Sequence, residues 1–505
     1  MFDIVNILKW LKKHFGKADI LMLGVLIVFF LFTRLVNLEK FPIFGDEGIY
    51  IHWAKTAWND ASWRFVSLTD GKQPLQTWGT IPLLKLFPTN ALLAGRLFSV
   101  ATGFIGLVGM FSFLFYLFGK RIAFLGSLLY ILTPYFLFYD RMALSDSGVN
   151  AGFIWMLFFS IVFAKTLRFD IALVFGFVSG LTLLTKSSAR LFLGLSFFAP
   201  LLFLEKNIRR FVPKLVNYLV LFGVTGILAM GMYNIQRLSP FLHFVEEKNK
   251  TFVMTFSEFF ATPYAYVKGN FPLIPYYVVS EGGIFLAIGG IIGLLLLFKH
   301  NRKLGTYLLC WFVLPYIGIA FFSKVLYPRY LNFYASLLIV TFAFLLTKVK
   351  KTVFLYPLIV LTVFSIAYYD FTILFNQSKI PFPDIDRGQY ITGITAGWGV
   401  QNIIDFAREK SKEKKVIVMA EGDFGVIGDQ LEVFVNKEDN IQVKGYWPLD
   451  KQHLLESQKE LKNHYVYVVF SHRQKFPSDW PLRLVKKYKK PENKSSTYFF
   501  ELLPK

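Results

Sequence analysis

The 505-residue sequence lacks several features, and each absence excludes a class of protein fold. It contains one cysteine, Cys310, inside an apolar run, so no disulfide framework can form and cysteine usage does not reveal the redox compartment. No short-period repeat and no low-complexity tract is present. These absences exclude a disulfide-stapled fold and a repeat array.

Apolar residues, by contrast, are abundant and clustered. The chain is 54% hydrophobic and 18% aromatic, with 58 Phe, and its apolar runs are long enough to cross a hydrocarbon core of about 30 Å. The sequence therefore predicts a polytopic α-helical membrane protein. We expect eleven spans: 19–37, 91–118, 122–139, 148–166, 170–186, 189–204, 214–234, 280–298, 304–322, 331–348 and 353–375.

Acidic residues are few, and the net charge is +22. From Gln377 onward there are 21 Lys and Arg against 17 Asp and Glu, which leaves 34 against 16 for the membrane part, so the excess lies between the spans and does not indicate nucleic-acid binding. The basic clusters fall at the amino terminus and at every second connection, beginning with Lys9, Lys12, Lys13 and Lys17 and ending with Lys348, Lys350 and Lys351. The positive-inside rule then predicts a cytoplasmic N-terminus and, with an odd number of spans, an extracytoplasmic C-terminus. Because no small-residue cleavage site follows the first span, we expect it to be a retained anchor.

Two of the predicted outer loops, 38–90 and 235–279, are long. In the first, residues 46–59 can form a helix with Ile49, Trp53 and Ala57 on one face, and residues 74–86 are apolar but too short to span. We expect both to lie as helices in the membrane interface. The second loop is aromatic and interrupted by prolines, which is typical of a lid or a substrate groove.

The last part of the chain, residues 377–505, has the pattern of a small extracytoplasmic α/β domain that follows a membrane domain of residues 1–376. Helical patterns at 399–411 and 450–463 alternate with strand-like runs at 415–420, 464–470 and 497–502. The loop 421–425 has a glycine spacing like that of a phosphate loop, but it carries two acids and lacks the Gly-Lys-Ser/Thr ending. We therefore expect a structural turn there.

Charged residues collect at the predicted outer membrane face. They are Asp46 and Glu47 shortly after the first span, Lys72 in the same loop, Asp140, Arg141 and Asp146, Lys186 and Arg190, and Lys324 and Arg329. A reaction that releases a phosphate needs this combination, because a carboxylate can take a proton from an acceptor hydroxyl while cations hold the departing anion. Structural roles stay open: Asp46 as a helix cap, Asp140 and Arg141 as an ion pair, and Lys186 and Arg190 as headgroup contacts. A divalent metal also stays open, although neither His52 nor His243 shows ligand spacing.

These motifs, in this order, resemble the polytopic glycosyltransferases of the protein O-mannosyltransferase and lipid A aminoarabinose transferase families. The resemblance covers roughly residues 15–350 and departs from the common Lys-Pro-Pro at Lys72-Gln73-Pro74 and from the common Lys-Gly at Lys186-Ser187. It implies the GT-C fold and a donor sugar carried on polyprenyl or dolichyl phosphate. By the same resemblance, Asp46 is the general base or positions the acceptor, Glu47 supports it, and Asp146 is the second acidic residue. The phosphate ligands would be Lys186, Arg190 and Arg329, with support from Asp140, Arg141 and Lys72.

The predicted function is therefore a plasma-membrane glycosyltransferase that moves one sugar from a polyprenyl (dolichyl or undecaprenyl) phosphate to a hydroxyl of a protein, lipid or glycan, with inversion, on the extracytoplasmic face. Its partners would be this lipid-linked sugar, the acceptor and membrane lipids, with no nucleic acid. A transporter or lipid flippase would place ionisable residues near the bilayer midplane, and a noncatalytic scaffold would not need clustered acids and bases. Both stay open as alternatives.

Overall fold

The computed structural model describes residues 14–349, 351–422 and 425–504. Lys9, Lys12, Lys13 and Lys350 of the predicted basic clusters lie outside the described residues, as do Asp423 and Phe424 of the acidic loop.

Helices dominate the first three quarters of the chain. In order they are α1 Lys17–Leu35, α2 Gly45–Asn59, α3 Leu75–Leu86, α4 Ala91–Phe118, α5 Lys120–Leu132, α6 Pro134–Tyr139, α7 Asp146–Thr166, α8 Phe169–Leu183, α9 Ala189–Ser196, α10 Ile208–Tyr233, α11 His243–Phe252, α12 Phe256–Ala261, α13 Val267–Gly282, α14 Ile284–His300, α15 Arg302–Phe322, α16 Asn332–Lys348 and α17 Thr352–Phe375.

By length and composition, seven of the described helical segments can cross a membrane, and an eighth span is possible if the pair α13 and α14, bent by 114° at Gly283, counts as one. The chain is thus a multi-pass membrane protein, and each of the eleven predicted runs overlaps one or two helical segments. Three of them are shorter or broken, however, so the count of eleven is not confirmed. Predicted span 122–139 breaks before Pro134, where the ring excludes a helical hydrogen bond, 170–186 shortens to α8, and 189–204 splits into α9 and a 3-10 turn.

The residues after α17 build the small α/β domain. Its helices are α18 Asp384–Arg387, α19 Val400–Ser411, α20 Ile427–Phe434 and α21 Lys451–Ser457, and its strands are β1 Val416–Glu421, β2 Ile441–Tyr446, β3 Tyr465–Phe470, β4 Leu482–Lys489 and β5 Ser496–Leu502. The sheet order is β2-β1-β3-β5-β4, with β1 parallel to both β2 and β3 and with β5 antiparallel to β3 and β4.

Glu421, the last residue of β1, has a structural role at the start of the acidic loop. The Glu421 carboxylate accepts hydrogen bonds from the backbone N–H groups of Ser471 at 3.2 Å, His472 at 2.7 Å and Arg473 at 2.9 Å. Successive N–H groups at the end of a strand can bind an anion, and here the protein's own carboxylate occupies them.

Helix α2 has the predicted position and the predicted apolar face, but it does not lie on a free interface. Ile49 and Trp53 belong to the core of the membrane helices, whereas Ile51 and Ala54 belong to a core shared with helices α19 and α20 of the small domain. The helix is therefore held between the two parts of the protein.

Candidate active site

Asp46, the second residue of α2, lies between two cations from distant parts of the chain. Its Oδ1 is 3.1 Å from Lys72 Nζ, and its Oδ2 is 3.0 Å from Arg329 Nη1. Burial alone would raise the pKa of Asp46, but the charges of Lys72 and Arg329 outweigh it and hold that pKa well below its usual range. The same pairing raises the pKa of Lys72 against the effect of its burial. Asp46 is thus a carboxylate whose two oxygens are both paired in this state.

Local backbone geometry explains the position of Lys72. It follows Gly71, which ends a 3-10 turn with φ +64°, a conformation that favours glycine, and a Cβ there would lie 2.6 Å from the carbonyl oxygen of Phe244. Residue Lys248 on α11 pairs with Asp70, which also lies 3.5 Å from Lys72. The two long loops, 38–90 and 235–279, therefore meet beside Lys72.

Arg329 lies in a second 3-10 turn, Pro328–Leu331, between α15 and α16. Its guanidinium group lies over the rings of Phe44, Tyr327 and Tyr330, at 5.3 to 5.6 Å from their centroids. Its Nε is buried and has no hydrogen-bond partner among the described residues. A buried donor of this kind is available to a ligand.

A second carboxylate–cation pair adjoins the first. Asp146, the first residue of α7, accepts a hydrogen bond of 2.8 Å from Lys186 Nζ, and that ammonium lies 4.3 Å from the ring centroid of Tyr330. Asn332, at the start of α16, donates to the backbone oxygen of Asp146 at 3.0 Å. The ring of Tyr330 thus contacts a cation from each of the two ion pairs, Lys186 and Arg329. We call Asp46, Lys72, Asp146, Lys186 and Arg329 the charged cluster.

Glu47 points away from this cluster, although it is adjacent to Asp46. Its carboxylate is fully buried, and Arg96 on α4 binds both of its oxygens at 2.8 and 2.9 Å. It also accepts hydrogen bonds from the backbone N–H groups of Ala143 at 2.7 Å and Phe44 at 3.0 Å. Glu47 therefore ties the start of α2 to α4 and to the loop before α7.

Asp140 and Arg141 do not pair with each other. Asp140 binds Arg34 on α1 at 3.1 Å and Ser147 at 2.7 Å, and all three side chains are buried. The Arg141 guanidinium donates to the carbonyls of Thr33 and Arg34 at 2.8 and 3.0 Å, at the C-terminal end of α1, where a cation is favoured by the helix dipole. Both residues fix the loop that precedes Asp146.

Arg190 is the one predicted phosphate ligand that stays apart from the cluster. Its side chain is exposed and lies over the ring of Tyr233, 4.8 Å from the centroid. Among the described residues no carboxylate forms an ion pair with it.

Two buried arginines were not predicted from the sequence to take part in the site. Arg34 and Arg96 are fully buried partners of Asp140 and Glu47, and both lie within runs that were predicted as spans. A charge inside an apolar run is costly unless it is paired, so their presence there was an available signal that the outer acids had buried partners.

The residues present do not fit a divalent metal. Both oxygens of Asp46 and one oxygen of Asp146 face cationic side chains, which would repel a metal ion. Within the described ranges no group of three or more His, Cys, Asp or Glu side chains could hold one. The charged cluster instead suits a ligand that carries negative charge, because its three cations outnumber its two carboxylates, and the nearby Asp70 also pairs with Lys248.

Comparisons with known proteins find similar structures, although no protein-family model and no curated sequence matches the chain. The structure of ArnT from Cupriavidus metallidurans bound to undecaprenyl phosphate is similar over 95% of this chain and 97% of that chain, with 12% identity and a TM-score of 0.63. The apo state of the same protein has a TM-score of 0.59, with the same coverage and identity. The Archaeoglobus fulgidus oligosaccharyltransferase tethered with an acceptor peptide is similar over 92% of this chain and 70% of that chain, with 13% identity and a TM-score of 0.52. At this identity the likeness establishes the fold, which confirms the expectation from sequence: the chain has the GT-C fold.

Proposed function

We propose that this protein is a membrane glycosyltransferase that moves one sugar from a polyprenyl-phosphate donor to a hydroxyl acceptor on the extracytoplasmic face. The proposal includes a cytoplasmic N-terminus and an extracytoplasmic domain of residues 377–505. The single observation that carries it is the charged cluster, in which Asp46 and Asp146 meet cations from three separate connections at one end of the helices. Among the structural neighbours, ArnT has been solved with undecaprenyl phosphate and the oligosaccharyltransferase with an acceptor peptide.

The chemistry assigned to the cluster is a single displacement. The acceptor oxygen forms a bond to the anomeric carbon, the bond from that carbon to the phosphate oxygen breaks, and the lipid phosphate leaves with the electron pair. The hydroxyl proton passes to Asp46, and attack opposite the leaving group inverts the anomeric configuration. Lys186 and Arg329 hold the phosphate through charge-assisted hydrogen bonds, and the free Nε of Arg329 supplies a further donor.

The donor phosphate and the carboxylates would compete for the same cations. Without donor, Asp46 is a weak base because Lys72 and Arg329 stabilise its ionised form. When the phosphate recruits Arg329, part of that stabilisation is lost and the basicity of Asp46 increases. The carboxylate would thus become an effective base only when a donor is in place, which limits unproductive proton transfer.

The remaining predicted residues have supporting roles in this proposal. Glu47 fixes the start of α2 through Arg96, and Asp140 and Arg141 fix the loop before Asp146 through their contacts with α1. Arg190 would serve as a phosphate ligand only after leaving the ring of Tyr233, so we assign it the outer edge of the phosphate site.

The test compares cells that carry the wild-type chain with cells that carry Asp46→Asn at equal expression. Mass spectrometry of surface glycolipids and glycoproteins should reveal a sugar addition that only the wild type makes. Transfer from an undecaprenyl-phosphate sugar by the purified variant should fall at least about a hundredfold, the size of a typical general-base contribution. Near-normal transfer by Asp46→Asn would remove Asp46 from the chemistry, and equal glycan profiles together with no transfer by the wild type would overturn the proposed function.

A further inference from the structure

The small C-terminal domain contacts the part of the chain that leads directly to Asp46. The backbone oxygen of Ile43 accepts a hydrogen bond of 2.8 Å from Gly397 N, and the N–H of Gly45 donates to Thr395 O at 3.0 Å. Phe44 forms an isolated antiparallel bridge with Ala396. The three residues before Asp46 are thus paired, strand to strand, with residues 395–397.

Helix α20 of the same domain supports this pairing. Gln430 donates through Nε2 to the oxygens of Thr395 at 2.7 Å and Ile43 at 3.3 Å, and so joins the two paired segments. The side chain of Gln430 is buried. A lost bond here would leave buried carbonyls without a donor, which costs free energy.

The body of α2 is attached to α20 by charged groups as well. His52 Nδ1 lies 2.6 Å from Oδ1 of Asp429, whose other oxygen accepts from Gly425 N at 2.8 Å. Lys55 Nζ donates to the carbonyls of Glu432 and Val435, at 2.5 and 2.7 Å, where α20 ends and a cation is favoured. The contacts repeat at positions 48, 52 and 55 of α2, so one helical face follows α20.

Helices α2 and α20 approach each other closely at Gly48. A Cβ added at Gly48 would lie 3.0 Å from the backbone nitrogen of Gln430 and 3.1 Å from its Cα. A larger residue there requires one of the two helices to shift by a few tenths of an ångström. Because Asp46 is two residues before Gly48, any such displacement would also move its carboxylate relative to Lys72 and Arg329, which belong to other elements.

From these contacts we infer that Asp429 and Gln430 of the C-terminal domain are positioning residues for Asp46, acting through α2. The inference rests on the proposed function, in which Asp46 is the base, and gives the C-terminal domain a part in the reaction. A base displaced by about 1 Å can lose on the order of a hundredfold in rate, so a rigid support for α2 has a direct catalytic value.

The main test is Gly48→Ala, which pushes α2 and α20 apart without removing a polar group. Its matched control is Gly388→Ala, a glycine with no heavy atom within 4 Å of an added Cβ. We expect kcat for transfer from an undecaprenyl-phosphate sugar to fall at least about tenfold in Gly48→Ala and to stay unchanged in Gly388→Ala. The KM for the donor and the Kd for undecaprenyl phosphate should stay within about twofold of the wild type. Asp429→Asn, which keeps the shape of the side chain, should give a smaller loss of kcat with the same unchanged Kd.

A third measurement separates positioning from a merely structural role. In an Asp46→Asn background, Gly48→Ala should lower the residual activity by no more than about twofold, because the group that it displaces is already absent. Full kcat in both Gly48→Ala and Asp429→Asn, with Asp46→Asn inactive, would overturn the positioning role and leave the proposed function intact. Equal losses of kcat and of phosphate binding, or an additive loss in the double variant, would also overturn it. Normal activity of Asp46→Asn would instead refute the base.

Discussion

Arg329 Nη1 lies 3.0 Å from Oδ2 of Asp46, so the start of the first outer loop and the turn before α16 meet in one ion pair. Because the two partly buried residues are far apart in the sequence, only the fold brings them together. In the proposed function, a phosphate bound at Arg329 would therefore change the electrostatic environment of Asp46.

The first prediction concerns the phosphate ligands. Lys186→Met and Arg329→Met should each weaken the binding of undecaprenyl phosphate by about 2 kcal/mol, or roughly thirtyfold in Kd, because a hydrogen bond to a charged group contributes about this much. Binding can be measured on purified protein, with undecaprenol, which lacks the phosphate, as the ligand control.

The matched control variant is Lys324→Met, since Lys324 pairs with the exposed Glu258 in the neighbouring loop and lies outside the charged cluster. Its affinity for undecaprenyl phosphate should equal that of the wild type. If Lys186→Met and Arg329→Met also bind the phosphate normally, the two cations are headgroup contacts and the proposed leaving-group site is lost.

The second prediction concerns pH. Lys72 holds the pKa of Asp46 low, so Lys72→Met should raise that pKa and keep Asp46 protonated to a higher pH than in the wild type. A base must be ionised to act, so the acid limb of kcat/KM for the donor should move to higher pH. The control is Lys250→Met, because Lys250 pairs with Glu246 on the exposed face of α11. A uniform loss of rate with an unmoved acid limb would contradict the role of Lys72 as a charge partner of Asp46.

The third prediction concerns topology. With Cys310 replaced, an impermeant thiol reagent should label Ser411→Cys in intact cells and should label Asn301→Cys only after the membrane is opened, because the basic clusters place the connection at 301 inside. Labelling of position 301 in intact cells, with none at 411, would invert the proposed orientation.

The small domain shows what sequence patterns can and cannot predict. The three predicted strands, β1, β3 and β5, are the interior strands of the sheet. Most of their side chains are buried, so their sequences are largely apolar and easy to identify. The two unpredicted strands, β2 and β4, are its edges. Strand β4 is mostly exposed and carries Arg483, Lys486, Lys487 and Lys489, which is how natural edge strands avoid pairing with other chains, so no apolar pattern marks it.

The members of the charged cluster were all predicted from the sequence as candidate site residues, but the partners of each carboxylate were not. Asp46 and Glu47 are neighbours in sequence, yet on a helix they point in different directions, and only Asp46 reaches the charged cluster. The partners of Glu47 are Arg96 and two backbone N–H groups, one of them far away in the chain. Such long-range contacts depend on how the helices pack, which local patterns do not contain.

The last prediction concerns Asp386, a fully buried acid on α18 that accepts a hydrogen bond of 2.7 Å from the hydroxyl of Tyr139 and faces the buried Glu281. Burial raises the pKa of Asp386 to about 6, so the folded protein binds a proton there more tightly than the unfolded chain does. The stability that this proton provides is therefore lost as the pH rises from about 4 through about 6. The melting temperature of the purified protein should thus be lower at pH 8 than at pH 5, and Asp386→Asn, which stays neutral, should reduce this decrease. Asp384→Asn on the same helix is the matched control, because that side chain is exposed and its replacement should leave the decrease in place. An unchanged pH dependence in Asp386→Asn would show that Asp386 does not carry the stabilising proton in the folded protein.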